Sequence, residues 1–361
     1  MKSNKNFLKH FVSLVLVLVI LTFLFSSSVL AQAEYKWRFA FPYSRELSIN
    51  AMTLFCDLVN VYSDGKMEVK LYPNSLLGSH NENFDAVQEG SVEITALTPY
   101  VDLVPGGMLY AMPWSIETFE QVAAAYQYPD GILRKVMSKA WEDVGFHFLS
   151  IGLEGQFGLA NKLRPIKNPD DFKNIKFRVS SSLAGVRAIE NMAGGTGLTL
   201  ATVPWTDLYG ALERGVVDGT WDSWFALVGE RHYEVLKYFT ALDMWFAENH
   251  VVVNKEKWDK LPPEIQEAFN KAARVTEMYE TELLRRNTEG FIKIISEGGC
   301  EIYFPTSEER EVFREKANMP AVWEELCKPY LDEHYPGQNM TQKILDELEK
   351  IRQEYPYMSV R

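Results

Sequence analysis

From Pro263 to Ser296 the chain has no proline after its first residue and repeats apolar side chains at helical intervals, at Ile265, Ala268, Phe269, Ala272, Val275, Met278, Tyr279 and Leu283. At 1.5 Å rise per residue this pattern predicts a helix on the order of 50 Å long. A small α/β lobe is narrower than that, so the helix is expected to bridge two lobes. Its opposite face is crowded with Glu, Lys and Arg, which reads as solvation.

The segments before it alternate between the two periods. Tyr35 to Phe41 alternates as a strand, Leu47 to Tyr62 repeats at helical spacing, and Met67 to Leu71 alternates again after the Asp64-Gly65 turn. A short helix at Phe84 to Gln88 and a strand at Val92 to Leu97 follow. This β-α-β pattern predicts a mostly parallel sheet covered by helices. Ligands of open α/β sheets gather beyond the carboxyl ends of strands, which singles out Phe41, Pro42, Tyr43, Pro99 and Tyr100. Glu46, early in the same strand-to-helix loop, is a second polar candidate beside Tyr43.

A second α/β pattern starts near Leu149, passes Gln156 and Gly158, and reaches Ile175, Phe177 and Val179, which alternate as a strand ahead of Ser180-Ser181-Ser182. The serines read as the cap of a following helix. Arg178 therefore stands where a strand stops and a helix starts. Its guanidinium is a planar fork of donors that fits a carboxylate, and unpaired N–H groups of the helix favour an anion nearby. The competing reading is a lobe-stabilising bridge from Arg178 to an Asp or Glu. The second pattern returns through Val203-Pro204-Trp205 and a helix from Leu208 to Arg214. After the bridging helix come a short strand at Cys300 to Phe304 and helices from Ser307 to the Pro336-Gly337 break and from Thr341 to Glu354.

The N-terminus has Lys2, Lys5 and Lys9 before an apolar run from Leu14 to Leu21, extended by Phe23 to Phe25, with small residues at Ala31-Gln32-Ala33. This is the pattern of a cleaved signal peptide over residues 1–33. The run is shorter than the ~20 apolar residues of a membrane span, so the chain is not expected to be membrane-embedded. No cysteine lies near the cleavage site for a lipid anchor, which points to the periplasm of a two-membrane bacterium. Cleavage lowers the basic side chains from 37 to 34 against 49 acidic ones. Such an acidic surface discourages nucleic acid and anionic membranes as partners. Of the three cysteines, Cys56 reads as buried on a helix face, while Cys300 and Cys327 are candidates for pairing in an oxidising compartment.

Enzyme chemistry finds little support. The histidines are scattered without metal-ligand spacing, there is no nucleophile elbow and no glycine-rich phosphate loop, so neither metal nor cofactor is expected and a periplasmic hydrolase is disfavoured.

Several motifs, in order along almost the whole mature chain, resemble the substrate-binding proteins of tripartite ATP-independent periplasmic (TRAP) transporters, of the DctP type. They are Tyr72-Pro73-Asn74-Ser75-Leu76-Leu77-Gly78-Ser79, Lys176-Phe177-Arg178-Val179, Val203-Pro204-Trp205 with Leu208-Tyr209-Gly210-Ala211-Leu212, Gly215-Val216-Val217-Asp218-Gly219, Tyr233 to Tyr238, and Val253-Asn254-Lys255. The resemblance implies a two-lobed periplasmic-binding-protein fold with hinged α/β lobes. The expected organisation is lobe I over 34–154, lobe II over 155–251, and 252–361 as the bridging helix and C-terminal helices, mainly returning to lobe I. It further implies a receptor that closes on a small organic acid and delivers it to TRAP membrane permease subunits, the alternative being presentation to a membrane sensor.

In that family the arginine matching Arg178 binds the ligand's carboxylate, and Trp205 matches a pocket-lining tryptophan. Two departures bear on the ligand. Asp222, in Thr220-Trp221-Asp222-Ser223, takes the place of an asparagine that touches the carboxylate, so it is expected to accept hydrogen bonds from a ligand hydroxyl, amide or ammonium. A second family arginine falls at Gly158 and is missing. A hydroxy acid or zwitterionic carboxylate is favoured, with an organic sulfonate as the alternative. The expected ligand-binding set is Arg178, Trp205, Asp222, Trp221, Tyr43, Glu46, Tyr100, Gln156 and Ser180.

Overall fold

The computed structural model describes residues 33–110 and 112–357, so the signal-peptide reading lies outside the described residues but for Ala33. Among the described residues ten strands form one continuous sheet with two halves. The first half orders β2 (Met67–Tyr72), β1 (Tyr35–Ala40), β3 (Ile94–Leu97), β9 (Phe246–Asn254) and β4 (Phe146–Asn161). The second continues from β4 to β7 (Gly219–Ser223), β5 (Lys176–Val179) and β6 (Thr199–Thr202), with β8 (Tyr238–Thr240) on β4 and β10 (Glu301–Tyr303) on β8.

Within each half the pairs β1/β2, β1/β3, β5/β6 and β5/β7 are parallel, as the β-α-β pattern predicts. The strands that join the halves are not. β4 runs antiparallel to β9, β7 and β8, and β9 antiparallel to β3. A chain that leaves one lobe and comes back must cross in both directions, and two long strands lying side by side do this with their hydrogen bonds intact. β4 is 16 residues long and almost wholly buried, so it lacks the inside-outside alternation by which a strand is recognised. Its register slips between Leu153 and Gly155, where Gly155 takes φ +88°, a conformation that suits glycine at a bulge and bends the strand between the halves.

The bridging helix spans Pro263–Glu297, 35 residues. Its first half buries Ile265, Phe269 and Ala272 in the first lobe, with the Phe269 ring 5.3 Å from Trp37. Its second half buries Leu284, Phe291 and Ile295 in the other cluster, with Phe291 5.7 Å from Phe225. The middle departs from the sequence pattern. Val275, Met278 and Tyr279 are exposed, and the inward positions are Thr276 and Glu280. A straight helix of this length drifts relative to any fixed apolar repeat, so its inward face passes through polar residues as it crosses between lobes.

The C-terminal segments divide between the lobes. β10 joins the second half and Ala317 accepts a bond from Asn191 Nδ2 at 2.8 Å, whereas Tyr355, just past the helix Met340–Glu354, accepts from Gln121 in the first at 2.7 Å. All three cysteines are buried free thiols, and Cys327 Sγ lies 3.8 Å from Met112 Sδ.

Glu280 sits at the crossing, 2 % exposed, where Ser48 Oγ donates to Oε1 at 2.9 Å and the Leu153 amide to Oε2 at 3.2 Å. Burial pushes its carboxyl up to about 7. The folded state therefore holds the proton more tightly than the unfolded chain, so this group's stabilisation is full below about pH 4.5 and is lost as pH rises towards 7. Glu280→Gln removes that loss. Urea titrations at pH 5 and pH 8 are expected to show the variant gaining about 1–3 kcal/mol on the parent at the higher pH, and parallel pH profiles would contradict the assignment.

Candidate functional site

Arg178 is placed by strand alternation. In β5, Phe177 and Val179 point into the core and Arg178 to the other face, at the end of the sheet from which Ser180 and Ser181 lead into the helix Leu183–Met192. Ser182 caps that helix by accepting from the Gly185 amide at 3.4 Å. The guanidinium is 2 % exposed, and its Nε–H donates to the Val203 carbonyl at 2.9 Å, which fixes the fork. It lies 5.5 Å from the centre of the Trp205 ring. Among the described residues no carboxylate comes within ion-pair distance of it, which removes the lobe-stabilising bridge as its role. Burial pulls its pKa down, opposed by Tyr100 and Asp222. Arginine keeps its charge in proteins.

This cation lines a cavity of about 370 Å³ between the lobes. Tyr43, His80, Tyr100 and Asp102 come from the first lobe, and Arg178, Ser180, Trp205 and Asp207 from the second. The first-lobe wall is braced from behind. Tyr43 Oη is 3.1 Å from Thr98 Oγ1, which donates to Asn249 at 3.2 Å. The His80 ring packs 5.0 Å from Tyr100, and its Nε2 lies 3.0 Å from the Thr98 carbonyl. Burial lowers the His80 pKa, so the ring is neutral at physiological pH.

Five of the nine residues expected from sequence, namely Arg178, Trp205, Tyr43, Tyr100 and Ser180, meet on this cavity. The other four do not line it. Asp222 is fully buried. Its Oδ1 accepts the Ser223 amide at 2.8 Å and its Oδ2 lies 2.7 Å from His232 Nδ1, so its acceptors are already met by the protein. His232 in turn packs edge-on against Trp205 at 5.2 Å, which makes the Asp222–His232 pair a brace for the tryptophan. Asp222 therefore stands behind the cavity wall, and not on it as the direct ligand contact expected of it requires. Trp221, on the opposite face of β7, is core packing between Phe177 and Trp245. Gln156 donates through Nε2 to the Glu117 carbonyl at 2.9 Å. Glu46 is exposed in the first turn of the helix Glu46–Tyr62 and does not line the cavity. Sequence reasoning passed over His80, Asp102 and Asp207. His80 carried a usable signal, since Ser79 before it opens a capped helix.

The glycine at the second arginine's position has a steric cause. A Cβ on Gly158 would stand 2.3 Å from the Thr240 carbonyl and 2.7 Å from the Phe239 ring. Gly158→Ala is expected to destabilise by about 1–3 kcal/mol through overpacking, read from the shift of a denaturant midpoint; an unshifted midpoint would contradict the close approach. No cation can be installed there without moving β8.

Two α/β halves joined by crossing strands, with one buried guanidinium, among the described residues, in the cavity between them, define a receptor that encloses a small solute. The bacterial extracellular solute-binding protein family 7 model, DctP, matches residues 42–328, and the chain belongs to that family, the receptors of TRAP transporters. It is 28% identical over 283 residues to the C4-dicarboxylate-binding periplasmic protein DctP of Rhodobacter capsulatus, covering 77% of this chain and 80% of that one. It is 24% identical over 300 residues to the ectoine/5-hydroxyectoine-binding periplasmic protein of Ruegeria pomeroyi, covering 80% and 84%. The sugar acid binding protein of Advenella mimigardefordensis, solved with galactonate, superposes with a TM-score of 0.76 at 24% identity, covering 89% of this chain and 99% of that one.

Proposed function

We propose that the cavity takes a small organic acid, carboxylate inward on Arg178, and that the receptor works in the periplasm, exported by its N-terminal residues and handing the acid to a membrane permease. One observation carries this reading: a buried guanidinium, oriented by the Val203 carbonyl and without a carboxylate partner among the described residues, faces a cavity of about 370 Å³. That volume is within the range of roughly 300–1,000 Å³ usual for small-molecule sites. Ser180 and Ser181 line the same cavity as the guanidinium and add hydroxyls, and Tyr43, Tyr100 and Trp205 on its walls supply apolar surface for the rest of the ligand. The relatives' names, which cover dicarboxylates and ectoines, agree with an acid and leave its class open. No helix among the described residues is long and apolar enough to cross a membrane, which agrees with a separate permease.

A ligand that binds only the folded state raises the melting temperature. Thermal scans against hydroxy acids, amino acids, sugar acids, dicarboxylates and sulfonates are expected to return hits confined to anionic or zwitterionic compounds, recovered chemically unchanged. Hits among neutral sugars, or turnover of the hit, would sink the proposal.

A further inference from the structure

Resting on that reading, we infer that the ligand is a zwitterion, a monocarboxylate that carries a cationic nitrogen towards the cavity mouth, and that Asp102 and Asp207 select it over dicarboxylates. Among the described residues the cavity has one arginine and no lysine on its walls but two aspartates, Asp102 from the loop after β3 and Asp207 from the turn after β6. They come from opposite lobes. Both are exposed where Arg178 is buried, so negative charge stands at the mouth and positive charge at the floor. Neither aspartate has a Lys, Arg or His within ion-pair distance among the described residues. Two like charges thus stand on one cavity. A ligand cation between them offsets their repulsion, and a second ligand carboxylate adds to it.

The walls leave a second carboxylate without a positive partner. Gly158 has no room for a side chain, and His80 is committed to Thr98 and packed on Tyr100. The aromatic side chains of Tyr100 and Trp205, both lining the cavity, suit an alkylammonium group better than a carboxylate, because an aromatic ring attracts cations.

The test uses matched compounds of one chain length: glutarate, 4-aminobutyrate and 4-hydroxybutyrate, and in parallel succinate, β-alanine and 3-hydroxypropanoate. Ligand-observed NMR titration reads affinities down to the millimolar range. At each length the amino acid is expected to bind at least tenfold tighter than the diacid and at least threefold tighter than the hydroxy acid. Both ratios are expected to shrink between 50 and 500 mM salt, as exposed charges require. In Asp102→Asn/Asp207→Asn the amino acid and the hydroxy acid should bind within twofold of each other. Diacids bound as tightly as amino acids, or ratios untouched by the double substitution, would overturn the inference. Arg178→Ala separates the two levels. If it removes binding of all six compounds while amino and hydroxy acids rank equally, selection by the aspartates falls and the carboxylate site stands; if it changes nothing, the carboxylate site itself falls.

Discussion

Arg178→Ala is expected to weaken binding of the cognate acid by about 2–5 kcal/mol, the cost of truncating one partner of a buried, hydrogen-bonded charge pair. The size of the effect follows from the surroundings. The guanidinium is 2 % exposed, so water does not screen the pair, and its orientation is set beforehand by the bond to Val203 and the Trp205 ring at 5.5 Å. Little ordering is left to be done when the ligand arrives. Arg178→Lys should recover only part of the loss, because a single ammonium cannot make two parallel bonds to a carboxylate or keep the contact to Val203. Isothermal calorimetry with the best thermal-shift hit decides the matter, and equal affinities for parent and alanine variant would remove Arg178 from the site.

Arg45→Met is expected to cost about 3–5 kcal/mol of folding stability, as for a buried ion pair broken on one side. Arg45 is wholly buried immediately after the Tyr43 wall and reaches across the lobes. Its Nη2 donates to Glu154 at 2.9 Å, its Nε lies 3.8 Å from Glu230, and its guanidinium carbon sits 4.4 Å from the centre of the Tyr43 ring and 5.4 Å from that of Phe225. Ser44 adds a bond to Glu230 at 2.9 Å. Burial alone would pull the Arg45 pKa down, yet Glu154 and Glu230 together carry it above the ordinary value. Removing the cation leaves two largely buried carboxylates facing each other. The loss should appear as a lower urea midpoint, and adding Glu154→Gln should return part of it. A midpoint within experimental error of the parent would mean that the carboxylates find other partners. Because Arg45 joins the loop after β1 to the helix end at Glu230, small-angle scattering of the variant should also report a wider average separation of the lobes.

Arg178 was legible because three local signals coincide at it: strand alternation, a serine cap and a guanidinium. Tyr43 and Tyr100 were legible for a related reason, since each follows a strand that the period-2 pattern exposes. Asp222 was expected in contact with the ligand by analogy with a family position, yet it stands behind the cavity wall: a carboxylate that is buried recruits its own donors, here Ser223 and His232. Gln156 shows the same limit. It lies on a strand buried on both faces, where sequence period no longer says which way a side chain points.

What the sequence determined by itself is the set of local units: the β-α-β repeats, the strand that carries Arg178 near its end, and a helix too long for one lobe. Those depend on neighbours within a few turns of chain, so periodicity reports them. The tertiary structure alone decided that β4 and β9 carry the sheet from one lobe to the other, that the bridging helix turns Thr276 and Glu280 inward, that Arg45 ties the lobes together, and that Asp102 and Asp207 share a cavity with Arg178. Each of these joins residues far apart in the chain, and the energies that select them, burial of polar groups and pairing of charges, arise only once distant segments exclude water together.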